Sequence, residues 1–379
     1  MSVLPPLAQI PTDVVAVTDY EPLAKERMNP AAWAYFSGGV GDEITLQANP
    51  AAFARRLLRP RVLADLKGGH TRVTLFGRTY EHPIFLAPVA YQKMAHPEGE
   101  RATLLGAAAM KAGMIVSTQS TVLLEDLARE AQTPLWFQLY VQRDRALTQS
   151  LVQRAEAAGF EAIVVTVDAP VLGPRNREQR SGFRLMAGVE AVNLRGQPAA
   201  ATRHLAAGSS VFSSGLLDVA PTWADIVWLR SITRLPVLVK GIMSAEDAAR
   251  AVSEGVAGIV VSNHGGRTLD TLPATLDVLP EIAAQVVGRV PILFDGGIRR
   301  GTDILKALAL GADAVMVGRP YLYALAAAGA IGVAHVINIL RTELEFAMAL
   351  TGRATIKDID ASVIRDSSDP VAIKRFGQT

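Results

Sequence analysis

At residues 262–270 the chain reads SNHGGRTLD, directly after the apolar run AGIVV (257–261). An imidazole (His264), a guanidinium (Arg267) and two glycines therefore close what reads as a buried strand. An imidazole there can act as a general base if a carboxylate fixes its tautomer. Asp168, at the end of AIVVTVD (162–168), is the candidate for that carboxylate. Arg175, seven residues on, and Arg267 offer two planar forks, and a guanidinium matches a carboxylate bidentately. Arg177 stands two residues from Arg175 and competes with it for the inward position. Lys240, ending the apolar PVLVKG (236–241), reads as a pocket lysine paired with something electron-rich. Together these groups suit a small carboxylic acid held beside a base.

A second set suits a phosphate. DGGIRRG (295–301) and VGRP (317–320) each close an apolar run. Gly296 and Gly297 allow backbone N–H groups to approach an anion, and Arg299 and Arg319 can neutralise it. Helices expected to begin near Thr302 and Pro320 would add partial positive charge.

These residues need a scaffold that collects strand ends. Eight short apolar runs alternate with helical stretches: 83–88, 114–118, 135–140, 162–168, 236–241, 257–263, 291–297 and 312–318. Near-continuous apolar runs suit parallel strands buried on both faces. Eight of them in series predict an α/β fold, a (β/α)₈ TIM barrel, with its chemistry at the C-terminal strand ends. Residues 20–58 and 330–379 read as extra N- and C-terminal helices. Residues 178–221, rich in Gly, Ala and Ser, read as a long mobile loop after strand 4 that closes over the site. The expectation is one domain over 1–379, with the barrel at about 83–328.

Composition excludes several classes. The net charge is +2, with no basic stripe for nucleic acid. With no cysteine there is no disulfide, thiolate metal site or Cys nucleophile, which fits a cytoplasmic protein. The six histidines form no HxH or HExxH pair, so no metal is expected. Residues 1–15 carry no basic stretch before their apolar residues, which speaks against a cleaved signal peptide. The apolar window 320–340 has the length of a membrane span, but Gly329, Gly332, His335 and Asn338 favour two buried helical pieces over a stable span.

The ordered set of motifs resembles the FMN-dependent L-2-hydroxy acid oxidases and dehydrogenases, the glycolate oxidase and lactate oxidase type. They are LAPVAYQKMAHPEGE (86–100), FQLY (137–140), VLVKG (237–241), SNHGGRTLD and DGGIRRGTDILKALALGA (295–312), within a likeness running from about residue 19 to 352. The resemblance implies a single FMN hydroxy acid dehydrogenase domain and a homotetramer. It implies His264 as the base, Asp168 as its orienting carboxylate, and Arg175 and Arg267 as the substrate clamp, with Tyr35 and Tyr140 beside them. It places Lys240 beside flavin N1 and O2, Pro88, Val89 and Ala90 along the flavin, and Ser117, Gln138, Thr166 and Ser262 among its polar contacts. Asp295, Gly296, Gly297, Arg299, Gly318 and Arg319 would hold the ribityl phosphate. The implied reaction takes a small L-2-hydroxy acid to the 2-oxo acid, with the flavin reoxidised by dioxygen to give hydrogen peroxide, or by a quinone or other acceptor. An FMN-assisted barrel isomerase on a phosphorylated substrate is the second alternative, although it needs no twin arginines beside a His–Asp pair. Ala90, with Leu172 opposite, leaves room for a short side chain such as that of lactate. Tyr91 faces either the pocket or the barrel–helix packing.

Overall fold

In this computed structural model, which describes residues 3–196, 210–213, 217 and 220–366, the eight apolar runs become eight parallel strands. They are β1 Ile84–Leu86, β2 Gly113–Ser117, β3 Leu135–Leu139, β4 Ile163–Thr166, β5 Val237–Ile242, β6 Gly258–Val261, β7 Ile292–Asp295 and β8 Ala314–Val317. Each pairs with the next, and β8 closes on β1 through Val315 opposite Ile84, which makes a barrel without edges.

Period-two alternation divides each strand between two cores. One residue set fills the barrel, including Phe85, Ile115, Trp136, Val164, Leu238 and Val260. The alternate set, including Leu86, Met114, Phe137 and Val165, faces the helices. The interior is crowded enough to dictate sequence: a Cβ on Gly113 would lie 2.4 Å from the Phe85 ring. A short hairpin, Val73–Leu75 with Arg78–Tyr80, brings Phe76 and Tyr80 onto Phe85 and Trp136 and plugs the N-terminal end. The C-terminal end is thereby the end left for chemistry.

The helices begin where their caps dictate. In α1 Tyr20–Arg27, α2 Pro30–Ser37 and α3 Ile44–Ala54, which precede the barrel, the clearest start is that of α2. There the Asn29 side chain accepts the Ala31 N–H and Pro30 takes the first helical position. The connecting helices are α4 Glu100–Ala109, α5 Leu124–Glu130, α6 Arg145–Ala157, α7 Asn176–Arg180, α8 Trp223–Ser231, α9 Ala245–Ser253, α10 Thr275–Val286 and α11 Gly301–Ala309. Asp144 caps α6 and Ser244 caps α9.

The apolar window near the C-terminus lies in α12 Arg319–Leu350, which breaks at Ala328 and Gly329. By length and composition alone α12 could cross a membrane, but 67% of its apolar window is buried against the rest of the protein. The segment 178–221 is described only in part. Its beginning is not irregular, since α7 runs through Glu178. Around Val192–Leu194 it is pinned down: Val192 N–H donates to Ser120 O (3.1 Å) and Asn193 Oδ1 accepts from Leu124 N–H (3.0 Å). The rest of the expected loop, at 197–209, 214–216 and 218–219, lies outside the described residues.

Candidate active site

The inward face of each strand changes character at its last turn. Two residues beyond Ile115, Trp136, Val164, Leu238, Val260 and Leu293 stand Ser117, Gln138, Thr166, Lys240, Ser262 and Asp295. All six are buried, so the top layer of the barrel interior is a ring of polar groups over an apolar plug. Ser117 Oγ donates to Gln138 Oε1 (3.2 Å), and Gln138 Nε2 donates to Thr166 Oγ1 (3.0 Å). Such a row offers donors and acceptors to the edge of a planar heterocycle. Pro88, Val89 and Ala90 lie half-buried just past β1, and Tyr140 half-buried just past β3.

Lys240 points inward by the same alternation as Leu238, and a bulge follows it. The β5–β6 register shifts between Lys240 and Ile242, and the intervening Gly241 has φ +113°. A Cβ there would lie 2.4 Å from that of Asp168, so the glycine also admits the carboxylate. Lys240 Nζ meets Asp295 Oδ2 (2.9 Å) and donates to Ser262 Oγ (2.7 Å), tying β5, β6 and β7 together. Burial alone would lower the Lys240 pKa, but the Asp295 and Asp168 carboxylates outweigh it and hold the ammonium above its ordinary value. The resemblance puts Lys240 and Asp295 in separate subsites; the structure makes them one ion pair.

His264 sits at φ +56°, an uncommon conformation for a residue with a Cβ. Ser262 Oγ accepts its backbone N–H at 3.1 Å. Its Nδ1 lies 2.9 Å from Asp168 Oδ1. With Asp168 ionised, Nδ1 is the donor and Nε2 carries the lone pair. Burial lowers the imidazole pKa below its ordinary value, so the ring rests neutral. Burial by itself would raise the Asp168 carboxyl, but the His264 ring and the Lys240 ammonium hold it below its usual range.

The arginines divide as follows. Arg177 turns outward: it donates to Ser37 Oγ (3.1 Å) and pairs with Glu43. Arg175 turns inward and is buried, pairing with Glu178 Oε1 at 3.0 Å while its Nε has no partner. Arg267 lies with its guanidinium carbon 5.0 Å from the centre of the Tyr35 ring. It donates to Tyr35 O (2.6 Å) and Gly38 O (2.8 Å), and its other terminal nitrogen faces Glu178 Oε1 (3.4 Å). Tyr35 also carries Phe183 stacked at 4.7 Å and Tyr91 edge-on at 6.3 Å. Tyr91 thus touches Tyr35 and also packs against the barrel–helix core.

The residues expected at a phosphate are arranged as follows. Arg319 spends three donors on carbonyls of Phe36, Gly265 and Gly38, leaving two of its five. Arg299 donates to Ile298 O. Burial lowers both guanidinium pKa values, and among the described residues neither forms a salt bridge with a carboxylate. Two largely buried cations in that state suit an anion. Gly296 and Gly297 both have positive φ and pack closely, since a Cβ would lie 2.4 Å from Thr275 Oγ1 at the first and 2.6 Å from the Asn49 backbone at the second, whereas a Cβ on Gly318 would meet nothing closer than 3.9 Å, so backbone can approach a ligand at Gly318. The expectation for the helix near Thr302 is corrected: Gly301 N–H donates to Glu343 (2.7 Å), and Asp303 accepts from Arg299 and Arg300 N–H, so the start of α11 is already capped. The start of α12, with no side-chain cap, remains open. Asp295, an acceptor, suits sugar hydroxyls better than phosphate, and its Oδ1 has no partner. A flavin mononucleotide fits this set of donors and acceptors.

Sequence reasoning overlooked two groups. Glu178, one helical turn beyond Arg175, bridges both inward arginines, and its i,i+3 spacing was the available signal. Asn49 on α3 exchanges two 2.9 Å amide hydrogen bonds with Asn263, beside His264, a contact across 214 residues with no local signature.

The chain matches the family model described as FMN-dependent dehydrogenase over residues 24–366. It is 48% identical over 352 residues to an L-lactate oxidase of Nostoc sp., covering 91% of this chain and 96% of the relative. It is 46% identical over 359 residues to a peroxisomal (S)-2-hydroxy-acid oxidase of Oryza sativa subsp. japonica, covering 94% and 97%. The crystal structure of mandelate oxidase with (S)-2-phenylpropionate superposes with a TM-score of 0.83 at 42% identity, covering 93% of this chain and 98% of that one.

Proposed function

The chain belongs to the FMN-dependent dehydrogenase family, and on that premise we propose that it is an oxidase of short L-2-hydroxy acids, L-lactate foremost, that passes electrons to dioxygen and forms hydrogen peroxide. The reaction class is FMN-dependent oxidation of a 2-hydroxy acid. The observation that carries the reading is the His264–Asp168 pair, 2.9 Å apart, in a site where Arg175 and Arg267 stand buried with one carboxylate between them.

FMN, when bound, supplies the two-electron acceptor. Ser117, Gln138, Thr166, Lys240 and Ser262 would hold its ring, Asp295 its ribityl chain, and Arg299, Arg319 and the backbone of Gly296, Gly297 and Gly318 its phosphate. Arg175 and Arg267 take the substrate carboxylate and fix the α-carbon relative to His264. Nε2 of His264 accepts the substrate proton, and Asp168 holds the imidazolium that results. Lys240 places a buried positive charge at the strand ends, where negative charge on the ring is stabilised without solvent reorganisation.

Ala90 and the Tyr91 ring against Tyr35 support a short substrate side chain. Under anaerobic conditions L-lactate should bleach the yellow holoenzyme, and air should restore the colour with peroxide. Bleaching without peroxide would replace dioxygen by another acceptor. Mass spectrometry of the released cofactor should give FMN. Among glycolate, lactate and mandelate, lactate should have the highest kcat/KM; mandelate ahead by about tenfold overturns the pocket reading. Arg175→Lys should lower kcat/KM by roughly 30-fold or more, since an ammonium cannot reproduce the fork. Arg177→Gln should change it little, and equal effects from both would refute the clamp assignment. The proposal extends to a cytoplasmic homotetramer; a chain without cysteine is compatible with that compartment, and light scattering tests the fourfold mass.

A further inference from the structure

We propose that Glu178 is a specificity-determining residue that holds Arg175 and Arg267 together and matches the charge of the clamp to a monocarboxylate. The inference rests on the reading of those two arginines as the substrate's carboxylate site. Both arginines pair with the same oxygen, Glu178 Oε1, at 3.0 and 3.4 Å. The side chains are only 9%, 14% and 9% exposed for Arg175, Arg267 and Glu178, so water screens them weakly. Two guanidiniums buried together repel. Burial and then the charge of Arg175 bring the Arg267 pKa down to about 9, and Glu178 is among the groups that oppose that fall. The geometry of α7 serves this bridge: Arg175 and Glu178 are one turn apart, while Arg177 between them points at Ser37 and Glu43.

Two cations and one anion leave a single net positive charge, which one substrate carboxylate neutralises. A second carboxylate on the ligand would exceed the one net charge that these three side chains supply, and Glu178 repels it as well. The repulsion from Glu178 scales with ligand charge, so its effect on binding, as a logarithm, is twice as large for a dianion as for a monoanion.

The test is titration of the flavin-loaded enzyme with pyruvate and with oxalate, followed by the perturbation of the flavin absorption band. Glu178→Gln keeps an oxygen acceptor for Arg175 and removes the charge. It should tighten pyruvate binding by about tenfold and oxalate binding by about a hundredfold, shifting the preference toward oxalate by about tenfold. Glu178→Asp keeps the charge and should leave that preference at the wild-type value. The preference, a ratio, is insensitive to a general loosening of the site. An unchanged preference in Glu178→Gln, or the same shift in Glu178→Asp, overturns the proposal. The shift in a protein whose flavin L-lactate does not bleach would uphold the clamp while refuting the lactate oxidase reading.

Discussion

Replacing His264 by glutamine is expected to leave the bound flavin in place and to slow its reduction by L-lactate by roughly 10²–10⁴-fold. The effect is large because, among the described residues, no second base stands ready. The nearby charged groups, Asp168, Lys240 and Arg267, are an ionised carboxylate already engaged with the ring and two cations. Glutamine can still donate to Asp168, so the carboxylate keeps a partner and the fold should survive. Rapid-mixing reduction under anaerobic conditions gives the rate, and a rate near that of the wild type would move the base elsewhere. The pH profile adds a sign. Reduction needs the neutral ring, whose pKa burial depresses below 6.5. The wild-type rate should therefore persist below that pH and fall only as acid protonates the ring. Asp168→Asn should lose rate in the same direction, because an amide donating to Nδ1 would put the proton on Nε2.

Replacing Lys240 by methionine should be the most destabilising of the site substitutions. Removing one partner of a buried ion pair costs about 3–5 kcal/mol. Asp295 would then lose the 2.9 Å contact at Oδ2 while Oδ1 already lacks a partner, and Ser262 Oγ would keep only the His264 N–H. The Lys240 pKa is raised in the folded protein, so its stabilisation is fully present below the unfolded value near 10.4 and is lost only as pH rises through the folded value. The gap in denaturant midpoint between wild type and Lys240→Met should thus be constant across neutral pH. Adding Asp295→Asn should recover most of the stability, since the uncompensated charge is gone. Flavin reduction should stay roughly 10²-fold slow in both variants, because the buried positive charge is missing. A midpoint for Lys240→Met within error of the wild type would show that the pair contributes nothing to folding.

The barrel was legible because its signals are local. Apolar runs long enough for one strand, separated by helical stretches, imply parallel strands whatever the contacts turn out to be. The inward period-two face continues past the last apolar residue into Ser117, Gln138, Thr166, Lys240, Ser262 and Asp295, so the polar ring too is written in the order of residues. A carboxylate partner for His264 followed from chemistry, since a carboxylate is the natural orienter of an imidazole; that the partner is Asp168 and that Asp295, the other strand-end carboxylate, goes to Lys240 is a matter of packing.

Closure of the barrel decided the rest. Arg175 and Arg177 are two residues apart at the start of one short helix and chemically alike; the positions of Glu178, Ser37 and Glu43 around that helix separate them. Lys240 and Asp295 lie on strands separated by β6, and they meet because closure of the barrel turns both inward across its mouth. The start of α11 looked available to an anion until α12 brought Glu343 onto it. Sequence determined which chemical groups reach the mouth of the barrel, because strand period and composition act within a few residues. The tertiary structure determined which of them hold each other, because a hydrogen bond or ion pair a few ångströms long depends on the packing of segments that can lie more than 200 residues apart, and composition does not encode that distance.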